Sequence, residues 1–196
     1  MSVRTSTTRR QVLAVFTGAL IVATSAACSM PNSSVATTAK PAGSSAPAGG
    51  KAKAAPKAKA AAKVGDTIAL KGFDGSADVT VVKVVDKPKG ADEFSTPDKG
   101  NRFYAVQFKI KDTGGKAYSD SPSNGAKVVD SKGQSYDADF NDTKAGPGFP
   151  GTVNIASGSS GLGFITFQVP AGAKITQIQF GLDSGMADQT GQWNVG

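Results

Sequence analysis

The stretch 102–112, RFYAVQFKIKD, limits what this chain can fold into more than any other. Tyr104, Val106, Phe108 and Ile110 fall on one face of an extended strand, with Phe103, Ala105, Gln107, Lys109 and Lys111 on the other. A period of two with one apolar and one wet face predicts an antiparallel strand that covers a core on one side. Runs of similar character occupy 67–70, 77–85, 126–130, 134–138, 152–155, 161–169 and 174–182, and Ser131-Lys132-Gly133 reads as a hairpin turn. No window carries a helical period, and Gly or Pro interrupts nearly every interval between strands. The expectation is an all-β fold over residues 64–196, an antiparallel β-sandwich of about 7–8 strands. A domain of this length buries roughly two-thirds of the surface its unfolded chain exposes, so it needs neither disulfide nor metal to fold.

The N-terminal region has a different character. Arg4, Arg9 and Arg10 precede an apolar run, 12–23, that ends in small residues before Cys28, the single cysteine. A basic start, a short apolar centre and a small-residue end make residues 1–27 a cleaved export signal; the run is too short and too rich in Ala, Thr and Gly for a comfortable membrane span. Ser25-Ala26-Ala27-Cys28 resembles the bacterial lipobox, which implies that Cys28 becomes the lipidated N-terminus of the mature chain. Ser25 stands where that pattern favours an aliphatic residue, so ordinary cleavage and a freely secreted product is the alternative. A lone exported cysteine has no disulfide partner in its own chain, which favours lipidation. Two or three acyl chains, at about 0.8 kcal/mol per buried methylene, anchor stably where one does not. Thr8-Arg9-Arg10-Gln11-Val12-Leu13 resembles a twin-arginine export motif, with general secretion as the other route.

Residues 28–63 read as the lipidated cysteine and a linker of Ser, Ala, Pro, Gly and Lys. It is too poor in large apolar side chains to offset the entropy of ordering, so it is expected to be disordered. As a flexible coil it would separate domain and anchor by roughly 30–35 Å on average, with an extended limit near 120 Å. Its lysines, Lys51 to Lys63, suit a solvated spacer, with contact to anionic head groups or wall polymers as the alternative.

Charge excludes one class of function. The chain carries 22 basic and 15 acidic residues. All the acids lie beyond residue 64, with thirteen of the basic residues, so the folded part has a net charge of −2. The basic excess belongs to the signal and the linker, and no basic stripe interleaved with aromatics suggests nucleic acid.

The absence of histidine removes Ser-His-Asp and Cys-His nucleophile activation, His-containing zinc sites and imidazole acid–base chemistry together. Thr96-Pro97-Asp98-Lys99 and Thr113-Gly114-Gly115-Lys116 are the nearest approaches to a Ser-x-x-Lys nucleophile, and both read as turns. Gly158-Ser159-Ser160-Gly161-Leu162-Gly163 precedes a strand, lacks the helix N-terminus that holds phosphate, and also reads as a turn. The expectation is a chain that is not an enzyme and uses no cofactor. Oxygen ligands for calcium are conceivable at Asp130, Asp137, Asp139, Asn141 and Asp142, although the EF-hand pattern fails at its glycine and glutamate positions. A solvated polar strand face is the plainer reading. Loops on a rigid sandwich are where contact usually resides, and Phe94 and Tyr118 lie on long ones. Trp193, after the last expected strand, suits a core plug, with a ligand platform as the alternative.

Four segments carry a family resemblance. These are 63–68 (KVGDTI), 100–106 (GNRFYAV), 129–137 (VDSKGQSYD) and 161–170 (GLGFITFQVP). Together, in this order, they resemble the DUF4352 family of exported bacterial domains, related to a mycobacterial secreted antigen family. The resemblance implies an immunoglobulin-like sandwich and an actinobacterial surface origin, and it brings no established catalytic residues. The family often carries Pro-Gly in the turn that here reads Ala156-Ser157-Gly158-Ser159-Ser160. The resulting expectation is a monomeric, non-catalytic binding module on the extracytoplasmic face of the membrane. Its partner would be a cell-envelope protein or an anionic wall polymer, and the alternative is a passive structural or antigenic surface protein.

Overall fold

The alternating stretch forms a strand of 12 residues, Asn101–Asp112, at the centre of a computed structural model that describes residues 33–41 and 61–196. In chain order the described elements are β1 (Ser34–Ala36), β2 (Thr67–Lys71), β3 (Ser76–Asp86), β4 (Asn101–Asp112), β5 (Tyr118–Asp120), a short helix α1 (Pro122–Gly125), β6 (Ala126–Asp130), β7 (Ser135–Asp139), β8 (Val153–Ile155), β9 (Ser160–Pro170), β10 (Ile175–Gly181), a 3-10 turn (Asp183–Gly185) and β11 (Gln189–Asn194). Each of the eight expected strands is present. The expected signal, residues 1–27, and Cys28 lie outside the described residues, as do Lys51, Lys53, Lys57 and Lys59.

Nine strands follow one another by hydrogen bonding in the order β1-β11-β10-β6-β7-β9-β4-β3-β2, and β5 pairs separately with β8. Strand β7 turns the corner between two layers: Ser135, Tyr136 and Asp137 pair with β6, while Ala138 and Asp139 pair with β9. The layers face each other across an apolar interior, where the Phe108 ring of β4 lies 5.2 Å from the Phe180 ring of β10. At the open side Lys71 donates its backbone N–H to Gln189 Oε1 at 2.8 Å, which joins the ends of the two layers. This is an immunoglobulin-like antiparallel β-sandwich.

Sequence alternation alone misreads one face of β4. Phe103 and Ala105 are buried although they point away from the main core. The reason is that two long loops cross that side of the sheet. Ala91 N–H bonds to Asp142 O at 2.9 Å and Lys144 N–H to Lys89 O at 2.8 Å, which stitches the loops together. Asp98 N–H reaches Gln168 Oε1 at 2.7 Å, which pins one of them to β9.

Strand β11 escapes the apolar pattern because its sequence, QTGQWN, is largely polar. Its single large side chain nevertheless carries the packing: Trp193 is fully buried, and its Nε1–H bonds to Asp66 O at 2.9 Å. Gly191 is required beside it, because a Cβ there would lie 2.9 Å from the indole.

The boundary of the folded part also differs from expectation. Residues 33–41, read from composition as linker, pair along the outer edge of β11, with Ser34, Val35 and Ala36 opposite Gln189, Thr190 and Gly191. Ser34 N–H bonds to Asp188 O and Lys40 N–H to Thr67 O, each at 2.7 Å. The Lys40 ammonium pairs with Asp78. Residues 61–63 join the same edge: Ala62 is buried, and its N–H bonds to Thr37 O at 2.7 Å. Backbone pairing does not require large side chains, and an unpaired edge strand gains from any partner.

Removal of residues 33–41 is therefore expected to destabilise the domain by on the order of 1–3 kcal/mol, from a few net hydrogen bonds and an uncovered edge. Urea unfolding of chains starting at residue 31 and at residue 42 measures this, and coincident midpoints would show that the edge pairing contributes nothing.

Candidate functional site

Many carboxylates of the domain hold the fold, among them Asp86, Asp120, Asp130 and Asp139, so the candidate site is a cleft where an exposed apolar side chain stands beside polar ones. Beyond Asp139 the chain leaves β7 and returns along β9 as a segment beside Phe164: Phe164 N–H bonds to Pro147 O at 2.9 Å, and Phe149 N–H to Phe164 O at 3.2 Å. The Phe149 ring lies over the bare backbone of Gly163, where a Cβ would sit 2.7 Å from the ring. Gly163 is thus a seat for an aromatic ring; of the glycine-rich stretch 158–163 read as a turn, residues 160–163 belong to β9. This crossing leaves a cleft of about 410 Å³ between the segment, α1 and the end of β7. Asn124, Asp139, Phe140, Asn141, Asp142 and Thr166 line it. Phe140 is 95% exposed, more than any other large apolar side chain described.

The five candidate calcium ligands are separated. Asp139, Asn141 and Asp142 share the cleft, but Asp139 Oδ1 accepts the backbone N–H of Asn141 at 2.8 Å and its Nδ2–H at 2.7 Å. Asp139 Oδ2 accepts Gln168 Nε2–H at 2.8 Å. Asp137 pairs with the Lys127 ammonium on the exposed face of the hairpin. Asp130 sits inside the hairpin turn: its Oδ1 accepts the backbone N–H groups of Lys132 at 2.8 Å and Gln134 at 2.9 Å, and its Oδ2 accepts the Tyr136 hydroxyl at 3.0 Å. These bonds, the one from Gln134 first, hold the Asp130 carboxyl below the usual carboxylate range. No group of three or more His, Cys, Asp or Glu side chains with metal-binding spacing occurs among the described residues.

Of the three candidate contact residues, Tyr118 requires correction and Trp193 loses its alternative role as a ligand platform. Tyr118 is buried rather than looped out, because it lies on β5 and packs into the core. Its hydroxyl donates to Asp120 Oδ2 at 2.6 Å. Burial first, then the bond and charge of Asp120, push the Tyr118 hydroxyl well above the ordinary tyrosine range. Trp193 is the core plug and offers no platform. Phe94 is 84% exposed, on a turn in which Asp92 Oδ1 accepts the N–H groups of Phe94 at 3.0 Å and Ser95 at 2.8 Å.

Sequence reading missed Asp120. Its Oδ1 accepts from Ser121 N–H at 2.7 Å, Ser184 N–H at 2.8 Å and Ser184 Oγ–H at 2.9 Å, so one buried carboxylate ties β5 to the 3-10 turn. At the other end of the sandwich Arg102 is equally committed, with Nε–H on Asp86 Oδ1 at 2.7 Å and its terminal nitrogens on Pro170 O at 2.6 Å and Ala173 O at 2.9 Å. The nearby Tyr104 hydroxyl is pushed up to about 12, by burial and then by the Asp86 charge, with Arg102 opposing.

A family model described as a domain of unknown function, DUF4352, matches residues 63–190. The chain belongs to the DUF4352 family. Among solved structures, the ycdA protein of Bacillus subtilis is similar over 63% of this chain and 37% of its own, at 17% identity and a TM-score of 0.47. This chain thus spans little more than a third of that protein. The secreted protein MPT63 of Mycobacterium tuberculosis is similar over 67% of this chain and 94% of its own, at 18% identity and a TM-score of 0.47. A β-sandwich protein of Clostridium difficile is similar over 72% of this chain and 99% of its own, at 11% identity and a TM-score of 0.39. No curated protein matches the chain in sequence.

In this DUF4352 domain the lowered Asp130 carboxyl has a consequence for acid stability. Its folded value lies below the unfolded value of about 3.9, so its contribution is present above that pH and is lost as pH falls through the folded value. Asp130→Asn is expected to flatten the acid limb of a stability–pH curve below about pH 4. Urea midpoints of both proteins between acidic and neutral pH report it, and parallel curves would refute the assignment.

Proposed function

We propose that this protein is exported, lipid-anchored through Cys28 on the outer face of the cell membrane, and acts there as a non-catalytic binding or interaction module. The observation that carries the reading is the order of residues 4–28: basic start, short apolar run, small residues and then the only cysteine of the chain. A thiol with no intramolecular partner in an exported chain is best accounted for by attachment to lipid. Release as a secreted protein, with ordinary cleavage in place of lipidation, is the second reading, favoured by Ser25.

The chemistry available supports binding rather than turnover. The chain lacks histidine. The buried pair of Tyr118 with Asp120 sits in the core, and the raised tyrosine is poorly placed to exchange protons near neutral pH. The cleft at Phe140 instead combines an exposed aromatic ring with the amides of Asn124 and Asn141, which suits an anchored contact with hydrogen bonds around it. Asp139 and Asp142 on the same wall disfavour an anionic polymer there, so an envelope protein or peptide segment fits this cleft better.

Metabolic labelling with palmitate tests the anchor: label and membrane association are expected in the native chain and absent from Cys28→Ala. Label retained by that variant, or none in the native protein, would overturn it. Phe140→Ser is expected to leave stability within about 0.5 kcal/mol of the native value while reducing retention of an envelope partner on immobilised protein. Equal retention by the two proteins would remove the cleft from consideration, and turnover of a peptide or wall substrate abolished by one point change would overturn the non-catalytic reading.

A further inference from the structure

We propose that one end of the sandwich, carrying Phe73 and Met186 with Val35 beside them, rests on the membrane and inserts these side chains among the lipids. The inference rests on the anchoring of Cys28 proposed above and adds an orientation that anchoring alone does not give.

The argument begins with chain length. A linker that stayed free up to residue 63 would let the domain wander tens of ångströms from the bilayer in any orientation. Strand β1 begins at Ser34 and is paired along β11. Only six residue steps separate Ser34 from Cys28, and they reach at most about 22 Å. A strand of 12 residues such as β4 spans about 40 Å, so the anchor selects one end of the sandwich. It is the end where Ser34 meets Asp188. The opposite end, with the 131–134 hairpin turn, is level with Ile175 and Asp130.

What that end presents is apolar. Phe73 is 63% exposed, Met186 70% and Val35 57%. They belong to separate segments that hydrogen bonds, together with the chain from Met186 to Asp188, tie to the same end. Ser34 N–H bonds to Asp188 O at 2.7 Å, and Met186 N–H to Asp183 O at 3.0 Å. The Asp183 carboxylate in turn accepts Phe73 N–H at 2.7 Å.

The backbone is also bent to hold Met186 outward. Asp183, Ser184 and Gly185 take φ values of 54°, 57° and 81° in succession, and Asp120 pins Ser184 from below. Ala187, the next residue after Met186, is buried. Around the apolar side chains Lys71, Asp74 and Asp188 are exposed, so net basic charge does not draw this surface to anionic lipid. The contact is apolar, and the short anchor supplies the high local concentration that lets so small a patch engage.

The test uses the full lipidated chain in vesicles of phosphatidylethanolamine and phosphatidylglycerol, with and without brominated acyl chains. Phe73→Trp and, separately, Met186→Trp serve as probes, and Lys132→Trp at the opposite end is the control; Trp193 is a constant buried background. Flotation with the vesicles is checked first. Protein that carries no lipid and does not float overturns the anchor and this proposal together. In floating protein, the expected result is a blue-shifted emission lost to brominated chains for both probes, unchanged in high salt, with the control unaffected. Floating protein whose probes are quenched no more than the control overturns the docking while the anchor stands. So does self-association in detergent that Phe73→Ser abolishes, with no quenching by lipid, since that would assign the patch to a second copy.

Discussion

The pairing of β4 with β9 is the interaction on which the rest of the domain depends. It runs without a register shift from Asn101 opposite Pro170 to Lys111 opposite Ser160. Because side chains alternate strictly, this single register decides two surfaces at once. Inward it places Tyr104, Val106 and Phe108 beside Phe167, Ile165 and Gly163. Outward it sets Phe103, Ala105 and Gln107 beside Gln168, Thr166 and Phe164. Gln168 then holds both Asp98 and Asp139. The two long loops and the Phe140 cleft are therefore positioned from the outer face of the same ladder that builds the core. A slip of one residue would misplace the cleft as surely as the interior.

How much of this could be read beforehand follows from where the signals are local. The alternation of 102–112 and the turn signals around it lie within a few residues of one another, and the strands they imply all occur. Tyr118 shows the limit: its burial depends on pairing with β8, which the short segment YSD does not announce. The outer-face burial of Phe103 and Ala105 depends on loops folded over from 87–100 and 140–150. Strand β1 is the extreme case, since Ser-Val-Ala carries no pattern and acquires structure only from the free edge of β11. Of the candidate calcium ligands, Asp139, Asn141 and Asp142 do reach a common cleft, but it is the adjacent Phe140 that gives the cleft its exposed feature.

The Asp183–Gly185 turn is the costliest piece of backbone described. A left-handed conformation costs roughly 1–2 kcal/mol per non-glycine residue, and here Asp183 and Ser184 both adopt it. Such strain persists only when surrounding contacts over-determine it. Asp120 supplies them from below, through both the backbone and the hydroxyl of Ser184, and Phe73 N–H supplies them from the side through the Asp183 carboxylate. A buried carboxylate that bridges β5, Ser121 and this turn thus carries more of the local stability than its position near a short strand suggests.

The pairing of residues 33–41 and 61–63 also changes how the open edge of β11 is closed. Thr38 and Ala61 form an antiparallel bridge, and Lys63 pairs with Asn194, so two segments distant in sequence share one edge of the sheet. Strand β1 runs parallel to β11, so this bridge lies at the end of β11 remote from Ser34. Residues 33–41 and 61–63, which compositional reasoning assigns to a spacer, become by the pairing of one short edge strand part of the folded domain itself.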